Sequence, residues 1–176
     1  MPKQDFINII FQHIQPGSTI LDLGSGEGKF ARMFAKRGAI VTAVDAKFRP
    51  QNEESITFQT ASVEEFIAKI GTQQYDLVFM RNILQFLDKN WVFETLFPWL
   101  ENHVKANGIV GIETFYQDPN PPFDHTMHSF YTTKELTEHL LTWQEMYENE
   151  FDEDNFDFAG TLRHFFISDL IVKKVS

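Results

Sequence analysis

The stretch Leu21–Phe30, LDLGSGEGKF, decides the reading of this chain. Gly24, Gly26 and Gly28 alternate directly after an apolar run, STILDL, and Asp22 stands two places before the first glycine. A glycine-rich turn between a strand and a helix lets the backbone approach a nucleotide closely. A dinucleotide loop of the pattern G-x-G-x-x-G would need glycine at position 29, where this chain has Lys29. Asp22 raises a second objection, because a pyrophosphate beside a fixed carboxylate is a like-charge contact.

The ligand that suits this loop has a cationic end and no phosphate. S-adenosylmethionine, with its sulfonium, ammonium and adenosine, meets that requirement. Asp45 ends the next apolar run, AIVTAVD (39–45). A carboxylate about 20 residues beyond the first glycine is placed to accept the ribose hydroxyls.

Working outward, apolar runs alternate with helical patterns. TILDLG (19–24), AIVTAVD (39–45), SITFQTA (55–61), YDLVFM (75–80) and GIVGIETFY (108–116) read as strands. Helices are expected over 27–38, 63–71 and 88–104, the last with a kink at Pro98. The N-terminal Phe6, Ile7, Ile10, Phe11 and Ile14 fall at helical spacing, unlike a secretory leader. This order predicts a Rossmann-like α/β fold: a mostly parallel seven-stranded mixed sheet with helices on both faces. A C-terminal antiparallel hairpin, QEMYENEF and RHFFISDLIVKKV, closes it, after a helix over 132–143.

The 176 residues suffice for one domain with a sizeable core, and 43% hydrophobic residues including 19 Phe argue for a packed one. There is no cysteine, which excludes disulfides, thiolate metal sites and cysteine nucleophiles. The formal charge of −10 argues against nucleic acid as the main partner. No apolar run approaches the roughly 18 residues of a membrane span, and a cytoplasmic protein is expected.

ILDLGSGEGKFA and VTAVDAK resemble the first two motifs of the class I S-adenosylmethionine-dependent methyltransferases. ITFQTASVEEF and YDLVFMRNILQFL resemble the family's adenine-contacting stretch and its fourth strand. The resemblance implies one such domain over residues 1–176. It also implies a cofactor site of Asp22, Gly24, Ser25, Gly26, Gly28, Asp45, Ala46, Ser62 and Val63; Arg81 and Asn82, which follow the fourth strand, should face the cleft and bind the cofactor carboxylate or the substrate. Where the family often has Asp at the adenine, this chain has Ser62. A narrower resemblance, carried by Tyr131, Glu135-Leu136, Trp143 and Tyr147-Glu148, is to tellurite-resistance type small-molecule methyltransferases. That group's His-Arg pair has no counterpart here except the reversed Arg163-His164, so no catalytic role is carried over.

The function these readings imply is methyl transfer to a small-molecule acceptor. The rivals are a cofactor-binding protein without turnover and a nucleic-acid methyltransferase. NPPF (120–123) matches a tetrapeptide of adenine-amino methyltransferases but follows the fifth strand rather than the fourth, so it reads as a Pro-rich turn. The segment from Gln117 to Phe130 is expected to close over the acceptor with the N-terminal helix. Phe11, Tyr116, Phe123 and Tyr131 would contact the acceptor, with Phe130 completing an aromatic lid. His125, His128 and His164 are the candidate bases, if the nucleophile arrives protonated. No metal is expected, although His125 and His128 with Glu113 have ligand chemistry. The acidic run 148–157 reads as a solvated loop.

Overall fold

The computed structural model describes residues 2–47, 50–117, 127, 129–156 and 160–175. Seven strands form one sheet in the order β3-β2-β1-β4-β5-β7-β6. β1 (Thr19–Leu23), β2 (Ile40–Asp45), β3 (Ile56–Thr60), β4 (Tyr75–Arg81) and β5 (Val104–Gln117) are parallel; the apolar runs of the central β1 and β4 reflect burial on both faces, while β3, at the edge, keeps exposed positions. β6 (Trp143–Phe156) and β7 (Leu162–Lys174) pair antiparallel, and β7 lies antiparallel to β5. Strand order reverses between β1 and β4, the switch point where ligands of such sheets bind.

Helices α1 (Pro2–His13) and α2 (Lys29–Ala35) cover one face through Phe6, Ile10, Ile14, Ala31 and Phe34. On the other face lie α3 (Val63–Lys69), α4 (Lys89–Trp91), α5 (Phe97–His103) and α6 (Thr133–Glu138). Ser62 and Thr132 start α3 and α6 with capping boxes, each accepting from the backbone N–H of the glutamate three residues on.

Three elements differ from the sequence reading. The expected helix 88–104 divides into α4, a π-helical turn Val92–Leu96, and α5. Pro98 lies in the first turn of α5 and has no N–H to give, so the wider turn comes where an α-helical bond would be lost. The helix expected to reach 143 stops at Glu138, and Leu140 and Trp143 turn into the core instead. Much of the acidic run is strand rather than loop, because β6 continues to Phe156 against Leu162. β5 ends at Gln117, opposite Phe166, so the β6–β7 pairs from Glu153–Phe165 to Phe156–Leu162 run on past the end of β5.

Candidate active site at the carboxyl edge

The loop after β1 is stitched to β2 before any ligand arrives. The N–H groups of Gly24 and Ser25 donate to the Val44 carbonyl at 2.8 and 3.0 Å. Asp45 Oδ2 accepts from the Gly26 N–H at 2.9 Å, and Oδ1 from the Lys47 N–H at 2.8 Å. Gly28 caps α2 with φ 82°, and a Cβ there would lie 2.5 Å from the Phe58 ring. Gly26 has φ 53° and faces open space. One glycine is thus required by packing, while the other leaves room beside the loop.

Asp22 is buried beneath this loop, and its Oδ2 has no hydrogen-bond partner. Burial pushes its carboxyl up to about 7; the nearby Asp45 charge adds to this, and the Ala31 N–H and Arg81 oppose it. Ser25 Oγ and Asn82 Oδ1 are likewise buried without partners. Asn82 adopts φ 53°, and its N–H donates to the Glu113 carbonyl at 2.8 Å. Arg81 lies 2.8 Å from Glu113 Oε1, with its guanidinium 4.9 Å from the centre of the Phe30 ring.

The residues expected at the cofactor therefore end or follow four neighbouring strands: Asp22 to Gly28 at β1, Asp45 and Ala46 at β2, Ser62 and Val63 after β3, Arg81 and Asn82 at β4. The Ser62 hydroxyl accepts from the Glu65 N–H as the helix cap, which ties up part of its hydrogen-bonding capacity. The N–H of Val63, in the first turn of α3, has no partner within that helix.

Other expectations need correction. Phe11 is not at this edge. A helix followed at once by β1 delivers its C-terminal end to the amino end of that strand, and Phe11 is near that end. Its ring packs on Phe34 and under Arg37, at the far end of α2 from the glycines. Tyr131 is fully buried against Phe93, and its N–H is tied to the Phe115 carbonyl, so it belongs to the core rather than to a lid. Burial raises its hydroxyl to about 12. His164 lies on the hairpin with Nε2 2.9 Å from Asp152 and Nδ1 2.9 Å from Asp154. The Asp154 hydrogen bond foremost raises its pKa, and both ring nitrogens face carboxylates on the hairpin, so neither is placed to take a proton from an acceptor. Tyr116 does sit at the end of β5, edge-on to Phe166. Phe123, His125 and His128, with the NPPF stretch, lie outside the described residues. Among the described residues no three His, Asp or Glu side chains gather as a metal site, and Glu113 is the partner of Arg81.

Two residues did not stand out as site residues. Asp169, in the apolar run FISDLIV, is wholly buried opposite Glu113. An acid inside such a run was the signal for it. Phe30 gave none, since aromatic residues on a helix are usually core.

The fold matches known proteins. The family model for a methyltransferase domain covers residues 3–167, and the chain belongs to that family. Among solved structures, TehB from Haemophilus influenzae superposes with TM-score 0.75 at 20% identity, over 97% of this chain and 62% of that one. The chain thus spans less than two thirds of that protein. The 1,6-didemethyltoxoflavin-N1-methyltransferase of Burkholderia thailandensis, solved with its acceptor and S-adenosylhomocysteine, superposes with TM-score 0.72 at 18% identity, over 98% and 77%. An Archaeoglobus fulgidus SAM-dependent methyltransferase gives TM-score 0.66 at 16% identity, over 99% and 95%. A search of curated proteins returned no match. Among the described residues no helix is long and apolar enough to cross a membrane.

Proposed function

We propose that this methyltransferase transfers the methyl group of S-adenosylmethionine to a small-molecule acceptor. The observation that carries the reading is Asp22: a buried carboxylate with an unpartnered oxygen, beneath a glycine loop that is open at Gly26. A buried carboxylate with one oxygen left unpartnered favours a cationic ligand, and a phosphate is the ligand it excludes. The ammonium of S-adenosylmethionine answers that need. Asp45 accepts from the ribose hydroxyls, and the Val63 N–H and Ser62 serve the adenine.

The donor supplies a methyl group already activated on a positively charged sulfur. The chain's own residues then bind, orient and exclude water, the main contributions such a reaction needs from a protein. Arg81 and Phe30, beside the switch point, form the side of the cleft next to the reacting end. The net charge of −10 favours a small acceptor over a nucleic acid.

Calorimetry with S-adenosylhomocysteine, S-adenosylmethionine and NAD tests the cofactor. Binding of the sulfur nucleotides without NAD is expected, and NAD binding alone would overturn the reading. Turnover of S-adenosylmethionine against a panel of small acceptors tests the transfer.

A further inference from the structure

Residues paired in register across a sheet point to the same face, and here they assemble a polar row. Arg81 on β4 pairs with Glu113 on β5, Glu113 with Asp169 on β7, and Asp169 with Asn149 on β6. The row lies on the face covered by α1 and α2, because Phe79 and Gly111, two residues back on β4 and β5, touch Phe34 and face Ile10. Its acids are buried: Glu113 is 2% exposed and Asp169 0%. Arg81 engages Glu113 Oε1 only, and Oε2 is buried with no partner. Two residues on along β5, Phe115 stacks on Phe165 and joins Ile167, Met127, Phe130 and Phe151. A carboxylate oxygen in want of a donor thus borders an apolar, aromatic layer.

Resting on the methyl-transfer reading, we propose that the acceptor is an amine joined to an apolar group, with its N–H on Glu113 Oε2. A buried carboxylate accepts and cannot donate, so it selects a donor-bearing acceptor and repels an anionic one. Nitrogen suits the step better than a hydroxyl. The lone pair of a neutral amine forms the N–C bond while the C–S pair returns to sulfur. Positive charge passes from sulfur to nitrogen, and the surplus proton then leaves nitrogen for water. Glu113 stabilises that charge as it develops and need not take the proton. A hydroxyl would have to lose its proton as the bond forms, and Glu113 already commits one oxygen to Arg81.

The test is a series of matched probes, phenethylamine, 2-phenylethanol and phenylacetate, titrated by calorimetry into the protein saturated with S-adenosylhomocysteine. The amine should bind at least about ten-fold more tightly than the other two, the low end for a hydrogen bond to a charged group. Glu113→Gln should erase that preference and leave S-adenosylhomocysteine affinity within a few-fold. Phenylacetate or the alcohol binding as well as the amine, or no probe binding at all, would overturn the proposal. So would a Glu113→Gln protein that keeps the ranking but loses S-adenosylhomocysteine, since Glu113 would then serve the cofactor. If Glu113→Gln does not fold, the wild-type ranking decides, checked with Arg81→Met/Glu113→Leu, which removes both charges and should lose the amine preference. Failure of S-adenosylhomocysteine itself to bind wild-type protein would count against the cofactor reading instead.

Discussion

Asp45 holds Gly26: its Oδ2 accepts the glycine N–H at 2.9 Å, so the acid at the end of β2 shapes the loop after β1. Asp45→Ala should therefore do two things. Losing the loop contact should cost about 1 kcal/mol of stability, and losing the ribose acceptor should weaken S-adenosylhomocysteine binding by about 1.5–3 kcal/mol. Asp45→Asn keeps an oxygen for Gly26 and should restore most of the stability but little of the affinity. Urea melts and calorimetry on both variants read the two effects apart. Equal rescue of both by Asn would mean that the carboxylate acts only through the loop.

Gly26 and Gly28 should fail differently. Gly28→Ala drives a Cβ toward the Phe58 ring at 2.5 Å and keeps a φ of 82°, so it should lower the thermal midpoint markedly. A Cβ added at Gly26 meets nothing within 4 Å in the protein, so Gly26→Val starts into open space. It should cost roughly 1–2 kcal/mol for the left-handed backbone, and it should abolish cofactor binding in a folded protein. Full binding by folded Gly26→Val would place the ligand elsewhere.

Asp22 predicts a pH dependence with a defined sign. Its carboxyl rises from 3.8 when unfolded to about 7 when folded. Its contribution is therefore most favourable below 3.8, declines as pH rises, and is fully lost above about 7. That rise corresponds to a penalty on the order of 4 kcal/mol at alkaline pH. Asp22→Asn should be relatively more stable than wild type at pH 8 than at pH 4, in parallel urea melts. A ligand ammonium favours the ionised acid. S-adenosylhomocysteine should hence bind more tightly as pH rises from about 5.5 to 7.5, with proton release below 7, and Asp22→Asn should lose both effects. A flat affinity profile in wild type would show that no cation meets Asp22.

His164 should titrate above the usual histidine range, held by Asp154 and Asp152. The clamp contributes stability fully below 6.5 and loses it as pH rises through the raised value. Nuclear magnetic resonance titration should show that value fall in Asp154→Asn. His164→Gln should keep methyl transfer within a few-fold. A large loss of turnover with an unchanged fold would restore His164 as a candidate base.

The parts of this edge that were legible in the sequence depend on local rules. Glycines at alternate positions, an acid before them and an acid closing the next strand each report on one turn or one strand end. The rows running across the sheet do not. Glu113, Asp169 and Asn149 meet only through β5, β7 and β6, and their register is set by pairings far apart in the chain. Phe11 was misplaced because helical periodicity gives a buried face but not which end of the helix lies over the ligand. Tyr131 was misplaced because an aromatic residue after a long segment looks the same whether it caps a pocket or anchors the segment. The acidic run looks like a loop by its charge alone, and only the partner strand, which pairs Asp152 with Phe166 and Asp154 with His164, makes it a strand.

That charged strand has a bearing on how the molecule keeps its own company. β6 ends the sheet, so among the described residues no strand pairs with its outer side. Glu148, Glu150, Asp152 and Asp154 recur at every second position along it and are exposed. A second copy aligning its own β6 there would bring two acidic ladders together, so like charge opposes that pairing.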